Sequence, residues 1–469
     1  MNSEQSAMQT MQSEAVAICH VIKGECITGA GAAYRSGGVP FTAPLLDLDT
    51  LVWPRAEPGP AFATPLTEII DVLVATGDYL RRDPDGLLAS ALAHLAKVST
   101  LPEALLARSY AGLHNHFQRR SLEFQVEQEL GGFDVLDGWR EVPCLSGRAA
   151  RVRAFPPRLV HVLAGNAPGV AALSIVRGAL TKGVHLLKIP SNDLFSATAI
   201  LRAIAAVAPG HPVSRSFSAV YWRGGDEAVE GTLFRPQFFD KLVAWGGAES
   251  IRSAKRYIGP GFELVSFDPK TSISLIGREV FESEQNLQEA AALAAADATV
   301  MNQQACVSSR FQFIEGDVDD CDRFCAALQR ELGMERPAAT PLGKPLPEEL
   351  AQEIDALRDL EPDYRVWGDG DGRGLVIRSE QPVDFHPDGK IVNVVPVADL
   401  RDALRHVGVA TQTVGVYPLP RKAALRDALA ARGAQRVVTL GRAALQEPGL
   451  SHDGFFPLHR FVRWVNDED

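Results

Sequence analysis

Arg158-Leu159-Val160-His161-Val162-Leu163-Ala164-Gly165-Asn166-Ala167-Pro168-Gly169 reads as a short apolar strand that breaks at a Gly/Asn/Pro cluster. A helical pattern follows to about Leu180. The unit then recurs. Val184–Ile189 is a second such run, ending at Pro190-Ser191-Asn192, with a helix from Leu194 to Ala208 behind it. Ser218–Trp222 is a third strand, and Lys241–Trp245 a fourth that stops at Gly246-Gly247. Strands separated by helices of about 12 to 16 residues mark parallel βαβ units, whose ligands sit beyond the carboxyl ends of the strands. Each of these clusters falls at such an end.

Outward from this block the chain stays α/β. Downstream, Ile273–Ile276 and Phe311–Ile314 read as strands and Ser283–Ala296 as an Ala-rich helix. Glu335 to Pro347 is a Pro-rich linker, Arg373 to Val397 alternates like sheet, and Arg436–Leu440 and Arg460–Val465 supply two short strands. Upstream, Pro-rich punctuation runs from Pro54 to Pro65. Leu66, Ile69, Ile70, Leu73 and Val74 then repeat at helical spacing, and Gly86–Ala96 and Pro102–Phe117 read as further amphipathic helices. Val142–Arg153 is hairpin-like. The segments expected are 1–140, 141–272, 273–435 and 436–469.

A chain of 469 residues exceeds one ordinary core, and 46% hydrophobic residues describe a globular protein. A net charge of −11 argues against a nucleic-acid partner, which needs clustered Lys and Arg. The opening MNSEQSAMQTMQSEAVAICH lacks a basic region followed by a long apolar one, so no secretory leader is expected. No stretch approaches the roughly 20 apolar residues of a membrane span. Six cysteines without metal-knuckle spacing point to reduced thiols in a cytoplasmic setting and to no metal site.

Three places carry chemistry. Cys306, in Asn302-Gln303-Gln304-Ala305-Cys306-Val307-Ser308-Ser309-Arg310, lies between a helix and a strand and is flanked by small polar residues. A thiolate there is a good nucleophile toward a carbonyl carbon. Taken alone, such a cysteine is more often a buried core residue. Asn166 could donate its amide to the oxyanion of a tetrahedral intermediate, or form an Asx turn before a helix. Lys188, before Ile189-Pro190-Ser191-Asn192, could meet a ribose hydroxyl or phosphate, or sit as a surface lysine.

Together these segments resemble the aldehyde dehydrogenase superfamily. Its members carry in order an Asn-x-Pro loop, a Lys-Pro-[Ser/Ala]-Glu strand end, a Thr-Gly-Ser loop, a Glu-Leu-Gly-Gly-Lys segment and a Gln-x-Cys nucleophile. The matching positions are Asn166-Ala167-Pro168, Lys188-Ile189-Pro190-Ser191, Trp245-Gly246-Gly247, Ser266-Phe267-Asp268-Pro269-Lys270 and Gln304-Ala305-Cys306. His161–Asn166, Asn302–Cys306, Thr413-Val414-Gly415-Val416-Tyr417-Pro418, His452-Asp453-Gly454 and Val462-Arg463-Trp464-Val465 look most like LuxC-type acyl-CoA reductases.

The resemblance implies two Rossmann-like α/β domains with an oligomerisation hairpin and tail. Segment 141–272 would bind NADP(H), 273–435 would carry Cys306, 1–140 would pack on the cofactor domain, and 436–469 would end in an oligomerisation tail. Cys306 and Asn166 would be catalytic, and Lys188, Ser191, Gly246 and Gly247 cofactor-binding. The substrate would be an acyl-CoA or acyl-carrier thioester. A homodimer or homotetramer is implied, as is an acyl-transferase or synthetase partner. In aldehyde-oxidising members a glutamate activates water. Ser266 stands at that position, and a serine hydroxyl is no general base near neutral pH. The loss fits reduction. Ser191 replaces the glutamate that repels a 2′-phosphate, which favours NADP(H) while admitting NAD(H). Two alternatives stay open: an oxidising aldehyde dehydrogenase using Glu263 or Asp268, and a non-enzymatic scaffold that keeps the fold.

Asp369-Gly370-Asp371-Gly372-Arg373-Gly374 imitates a calcium loop, but Arg373 stands where a ligand belongs, so a hairpin turn is expected. Cys321 and Cys325 are expected to be inert on a helix, His114-Asn115-His116 to lie on the surface, and His452-Asp453-Gly454 to form a structural turn.

Overall fold

The strands that read as continuous apolar runs do so because both of their faces are covered. Leu159, Val160, Leu187, Leu242 and Val243 are fully buried, each contributing roughly 1.5–3 kcal/mol by leaving water. The computed structural model describes residues 15–29, 31–383 and 389–468. Most of the stretch read for a leader, and residues 384–388 of the alternating Arg373–Val397 segment, lie outside the described residues.

The described residues divide into two compact units. One lies within Met1–Ser99, Ser109–Asp268 and Pro448–Asp469, the other within Thr100–Arg108 and Pro269–Glu447. The first unit is built on a seven-stranded sheet in the order Glu263–Phe267, Lys241–Trp245, Arg158–Val162, Val184–Lys188, Phe217–Val220, His20–Ile22, Glu25–Ile27. The first five strands are parallel, as the alternation predicts, and the last two form an antiparallel hairpin at the edge. The chain enters at Arg158–Val162, winds to one side, and returns to the other through Lys241–Trp245. That reversal is a topological switch point, where the loops at the carboxyl ends diverge and leave a crevice.

The Arg158 guanidinium fastens the Pro-rich segment to this sheet by donating to the carbonyls of Trp53 (2.7 Å), Pro54 (2.9 Å) and Glu57 (2.7 Å). The strands before residue 50 were not anticipated. One hairpin, Gly31–Ser36 with Val39–Pro44, turns on Gly37-Gly38, both at positive φ (53° and 83°). A Gly-Gly pair between strands is a hairpin signal that was there to be read. A small antiparallel sheet joins Arg140–Pro143, Ala149–Phe155 and the tail strand Arg463–Glu468. The tail therefore begins its strand later than expected, after the short helix Pro457–Phe461.

The second unit has its own seven-stranded sheet: Tyr364–Trp367, Leu375–Ser379, Ile391–Val397, Ser309–Glu315, Thr271–Ile276, Thr411–Tyr417, Arg436–Thr439. All neighbours are parallel except the first pair, a hairpin closed by the loop that imitates a calcium site. Helix Glu284–Ala298 presents Ala290, Ala291, Ala294, Ala295 and Ala298, all fully buried, so its backbone closes tightly on the sheet and on helix Val318–Leu332. Cys321 and Cys325 lie in this core, where burial pushes the Cys321 thiol up to about 12. They are packing residues. No helix among the described residues is long and apolar enough to cross a membrane.

Candidate active site

In the first unit, four loops leave the carboxyl edge of the parallel sheet. The loop after Arg158–Val162 carries Asn166, which is exposed, and leads into helix Gly169–Leu180. Gly165 precedes it because a Cβ there would fall 2.1 Å from Asn192 Oδ1 on the next loop. Lys188 ends the neighbouring strand with its Nζ 5.9 Å from the centre of the Tyr221 ring. Burial lowers its pKa, while the charge of Glu230 raises it. Ser191 is half-buried two residues beyond Ile189. The third loop turns at Gly224-Gly225, and Glu230 holds it. Gly225 N–H (3.0 Å) and Trp222 Nε1–H (3.2 Å) donate to Oε1, and the Tyr257 hydroxyl (3.1 Å) donates to Oε2.

The fourth loop is Gly246-Gly247. Gly246 sits at φ +145°, and Gly247 caps helix Ala248–Lys255 without a side chain. An uncapped helix N-terminus suits a phosphate, and the half-buried Lys188 lies at the Gly224 turn of the same edge. Lys188, Ser191, Gly246, Gly247 and Asn166 thus share one edge of one sheet. Glu230 was missed, because its role shows only once the turn it binds is folded.

The segment around Ser266 separates the two carboxylates that an oxidising enzyme would need. Glu263 opens the strand Glu263–Phe267 at its amino end and pairs with Lys241 at 3.3 Å. Asp268 follows the carboxyl end, on the side of Asn166. A five-residue strand spans about 16 Å, so Glu263 faces away from these loops. On the same edge Trp245 stacks on Phe267 at 3.6 Å, and His452 packs edge-on against both rings. Arg177 Nη2 donates to His452 Nδ1 at 3.2 Å. His452-Asp453-Gly454 is a turn, as expected, with Asp453 at φ +51°. His114 and His116 are half-buried and Asn115 exposed; burial, then the Arg177 charge, hold the His116 pKa down at about 4.

In the second unit Cys306 is exposed on a turn at the amino ends of the parallel strands. Three consecutive residues, Met301, Asn302 and Gln303, have positive φ (52°, 49° and 74°). Non-glycine residues hold that conformation only under external restraint. The restraint is visible. Asn302 Oδ1 accepts from Thr340 N (3.0 Å) while its Nδ2 donates to Thr340 Oγ1 (2.8 Å). Gln303 Nε2 donates to Ile391 O (2.6 Å) and its Oε1 accepts from Ile391 N (2.9 Å). Each amide closes a two-bond clasp.

Thr340 lies in the Pro-rich stretch read as a linker, which is instead a strut. The fully buried Lys390 steadies it by donating to Leu332 O (3.1 Å), Thr340 O (3.0 Å) and Pro341 O (2.8 Å). On the other side Ser272 Oγ donates to Cys306 O at 2.7 Å and accepts from Thr413 N at 3.1 Å. The register slips at Ser272, and such a bulge re-aims a side chain. Gln412 Nε2 lies 3.2 Å from Cys306 Sγ. Thr340, Lys390, Ser272 and Gln412 were invisible in the sequence, since their partners are remote or are backbone.

The sequence profile of the family described as acyl-CoA reductase (LuxC) matches residues 61–464. The long-chain acyl-protein thioester reductase of Photorhabdus laumondii is 33% identical over 347 residues, 73% of this chain and 69% of that protein. The same-named protein of Vibrio harveyi is 30% identical over 347 residues, 73% of this chain and 70% of its own length. Among solved structures, a NAD-dependent benzaldehyde dehydrogenase from Corynebacterium glutamicum superposes with TM-score 0.71 at 15% identity, covering 96% of this chain and 97% of that one. A NADP-dependent glyceraldehyde-3-phosphate dehydrogenase from Bacillus halodurans does so with TM-score 0.68 at 14% identity, covering 96% and 99%. These give the aldehyde dehydrogenase-like α/β fold, and the sequence matches give the family: the chain belongs to the LuxC family of acyl-CoA reductases.

Proposed function

We propose that this protein reduces a long-chain acyl thioester to its aldehyde with NADP(H), carrying the acyl group on Cys306. The observation that carries the reading is the exposed Cys306 thiol on a turn whose strained backbone is clasped on both sides. A nucleophile gains most when its geometry is fixed before substrate arrives. The Cys306 thiolate attacks the thioester carbonyl. The carbon–sulfur bond to CoA or a carrier protein breaks, and that thiol departs with a proton. The Asn166 amide is assigned to the oxyanion, where one donor is typically worth about 3 kcal/mol. Ser266 gives water no general base, so the acyl-enzyme waits for reduction.

The dinucleotide fits the first unit's edge. Gly246 and Gly247 would admit the diphosphate at the helix N-terminus, and Lys188 and Ser191 would face the adenosine ribose. When bound, NADPH supplies the hydride that converts the acyl group to an aldehyde. Lys188→Glu is expected to weaken NADPH roughly tenfold or more, and NADH clearly less, because a 2′-phosphate would meet a carboxylate. Fluorescence titration of both coenzymes checks this, and equal losses would remove Lys188 from the phosphate site. Segments 1–140, 141–272, 273–435 and 436–469 are proposed as a mixed helical part packed on the cofactor part, the cofactor part, the catalytic part, and the C-terminal strands with an oligomerisation tail, in a cytoplasmic homodimer or homotetramer.

The decisive experiment loads the protein with radiolabelled acyl-CoA and then adds NADPH. Label on the Cys306 peptide, released as aldehyde, is expected. Steady release as free acid would favour the oxidising, hydrolytic alternative with Asp268 as base. No label at all would leave a scaffold.

A further inference from the structure

We propose that Gln412 is a positioning residue for Cys306: its carboxamide donates a hydrogen bond to the sulfur and holds it as thiolate. The inference rests on Cys306 being the nucleophile. Gln412 is the second residue of strand Thr411–Tyr417 and is only 3% exposed, whereas the sulfur 3.2 Å from its Nε2 is open to substrate. The neighbouring parallel strand supplies Ser272, which grips the carbonyl of Cys306 at 2.7 Å. Main chain and sulfur of one residue are therefore tied to two adjacent strands, so the amide–sulfur distance is set by the sheet and not by a mobile loop.

A neutral donor aimed at sulfur stabilises the anion, because hydrogen bonds to charged acceptors exceed those to neutral ones. The charged groups around the thiol agree. Arg436, on the strand beyond Thr411–Tyr417, interacts electrostatically with Cys306 and is anchored by donating to Ala443 O at 2.7 Å. Asp297 faces Arg436 from helix Glu284–Ala298, spending its oxygens on Gly441 N and Ala443 N, both at 2.8 Å. Gln412 adds a directional bond to the diffuse pull of one arginine. The carboxamide is neutral, so the sulfur stays a strong nucleophile and no base competes for the acyl group.

The test is the pH profile of Cys306 alkylation by iodoacetamide, followed by peptide mass spectrometry on the full chain without substrate or cofactor. Gln412→Met keeps the volume and loses the donor. It is expected to raise the apparent thiol pKa by about one unit, a tenfold loss of thiolate near neutrality. Gln412→Glu should raise it further, since a carboxylate then faces the thiolate. In turnover, kcat of Gln412→Met should fall near pH 7 and recover toward pH 9, with KM for NADPH unchanged. A loss equal at every pH, or coincident alkylation profiles, overturns the inference. Should either variant fail to fold, the ultraviolet thiolate band of the unaltered protein, taken against Cys306→Ser, decides. A midpoint clearly below the free-thiol value of about 8.5 supports the donor, and one at or above it refutes it. Alkylation needs no acyl donor, so a missing acyl-enzyme would sink the reductase reading while leaving this outcome readable.

Discussion

Cys306→Ser is expected to cut NADPH-dependent aldehyde formation by roughly three orders of magnitude or more, and to abolish the acyl-enzyme label. The serine hydroxyl is isosteric but stays protonated near neutral pH. Neither the Gln412 amide nor the Arg436 charge can make it an anion, as they can a thiol. An oxygen ester, were it to form, would also be a poorer acceptor of hydride than a thioester. The substitution should leave the fold intact, because Cys306 is exposed and lies outside the buried clusters of the second unit. Melting within a few degrees of the parent, with activity gone, separates a chemical role from a structural one. A Cys306→Ser protein retaining a tenth of the activity would end the covalent reading.

The parallel strands of the first unit were legible because burial on both faces leaves a run such as Leu159-Val160-His161-Val162 nearly free of polar alternation, and because each run stops at glycine, asparagine or proline. The edge strands His20–Ile22 and Glu25–Ile27 escaped notice for the opposite reason. Each has three residues, and they are recognisable only by pairing with each other and with Phe217–Val220. Cys306, Asn166 and the glycine pair were legible as motifs in order. Their supports were not. Lys390 looks like any lysine until three carbonyls converge on it, and the Pro-rich stretch holding Thr340 looks like a linker until Asn302 clasps it. A polar residue that serves backbone far along the chain leaves no periodic trace.

The other large effect concerns Gln303, whose conspicuous place beside Gln304-Ala305-Cys306 invites a catalytic role that the geometry denies. It is fully buried, and its two side-chain bonds both go to the backbone of Ile391, at 2.6 and 2.9 Å. Its own carbonyl accepts from Arg310 at 3.2 Å. Gln303→Leu fills the same space but strands the N–H and C=O of Ile391 at the first residue of a central strand. Each buried group left unsatisfied costs about 1–3 kcal/mol, so a loss of about 3 kcal/mol is expected. In a unit of this size that lowers the melting temperature by roughly 6 to 12 °C. The consequence for chemistry is larger than for stability. Without this clasp only the Asn302–Thr340 pair restrains three successive non-glycine residues at positive φ, and the turn is expected to relax toward ordinary backbone. Displacing a nucleophile by about 1 Å can cost a hundredfold, so kcat should fall about that much while the thiol remains alkylatable. Gln303→Glu should fare no better, since a carboxylate can accept from Ile391 N–H but has nothing to donate to its carbonyl. Thermal melting together with single-turnover reduction of the acyl-enzyme would measure both effects. Near-parental values in both would show that the strained turn holds itself, with the Asn302–Thr340 clasp sufficient.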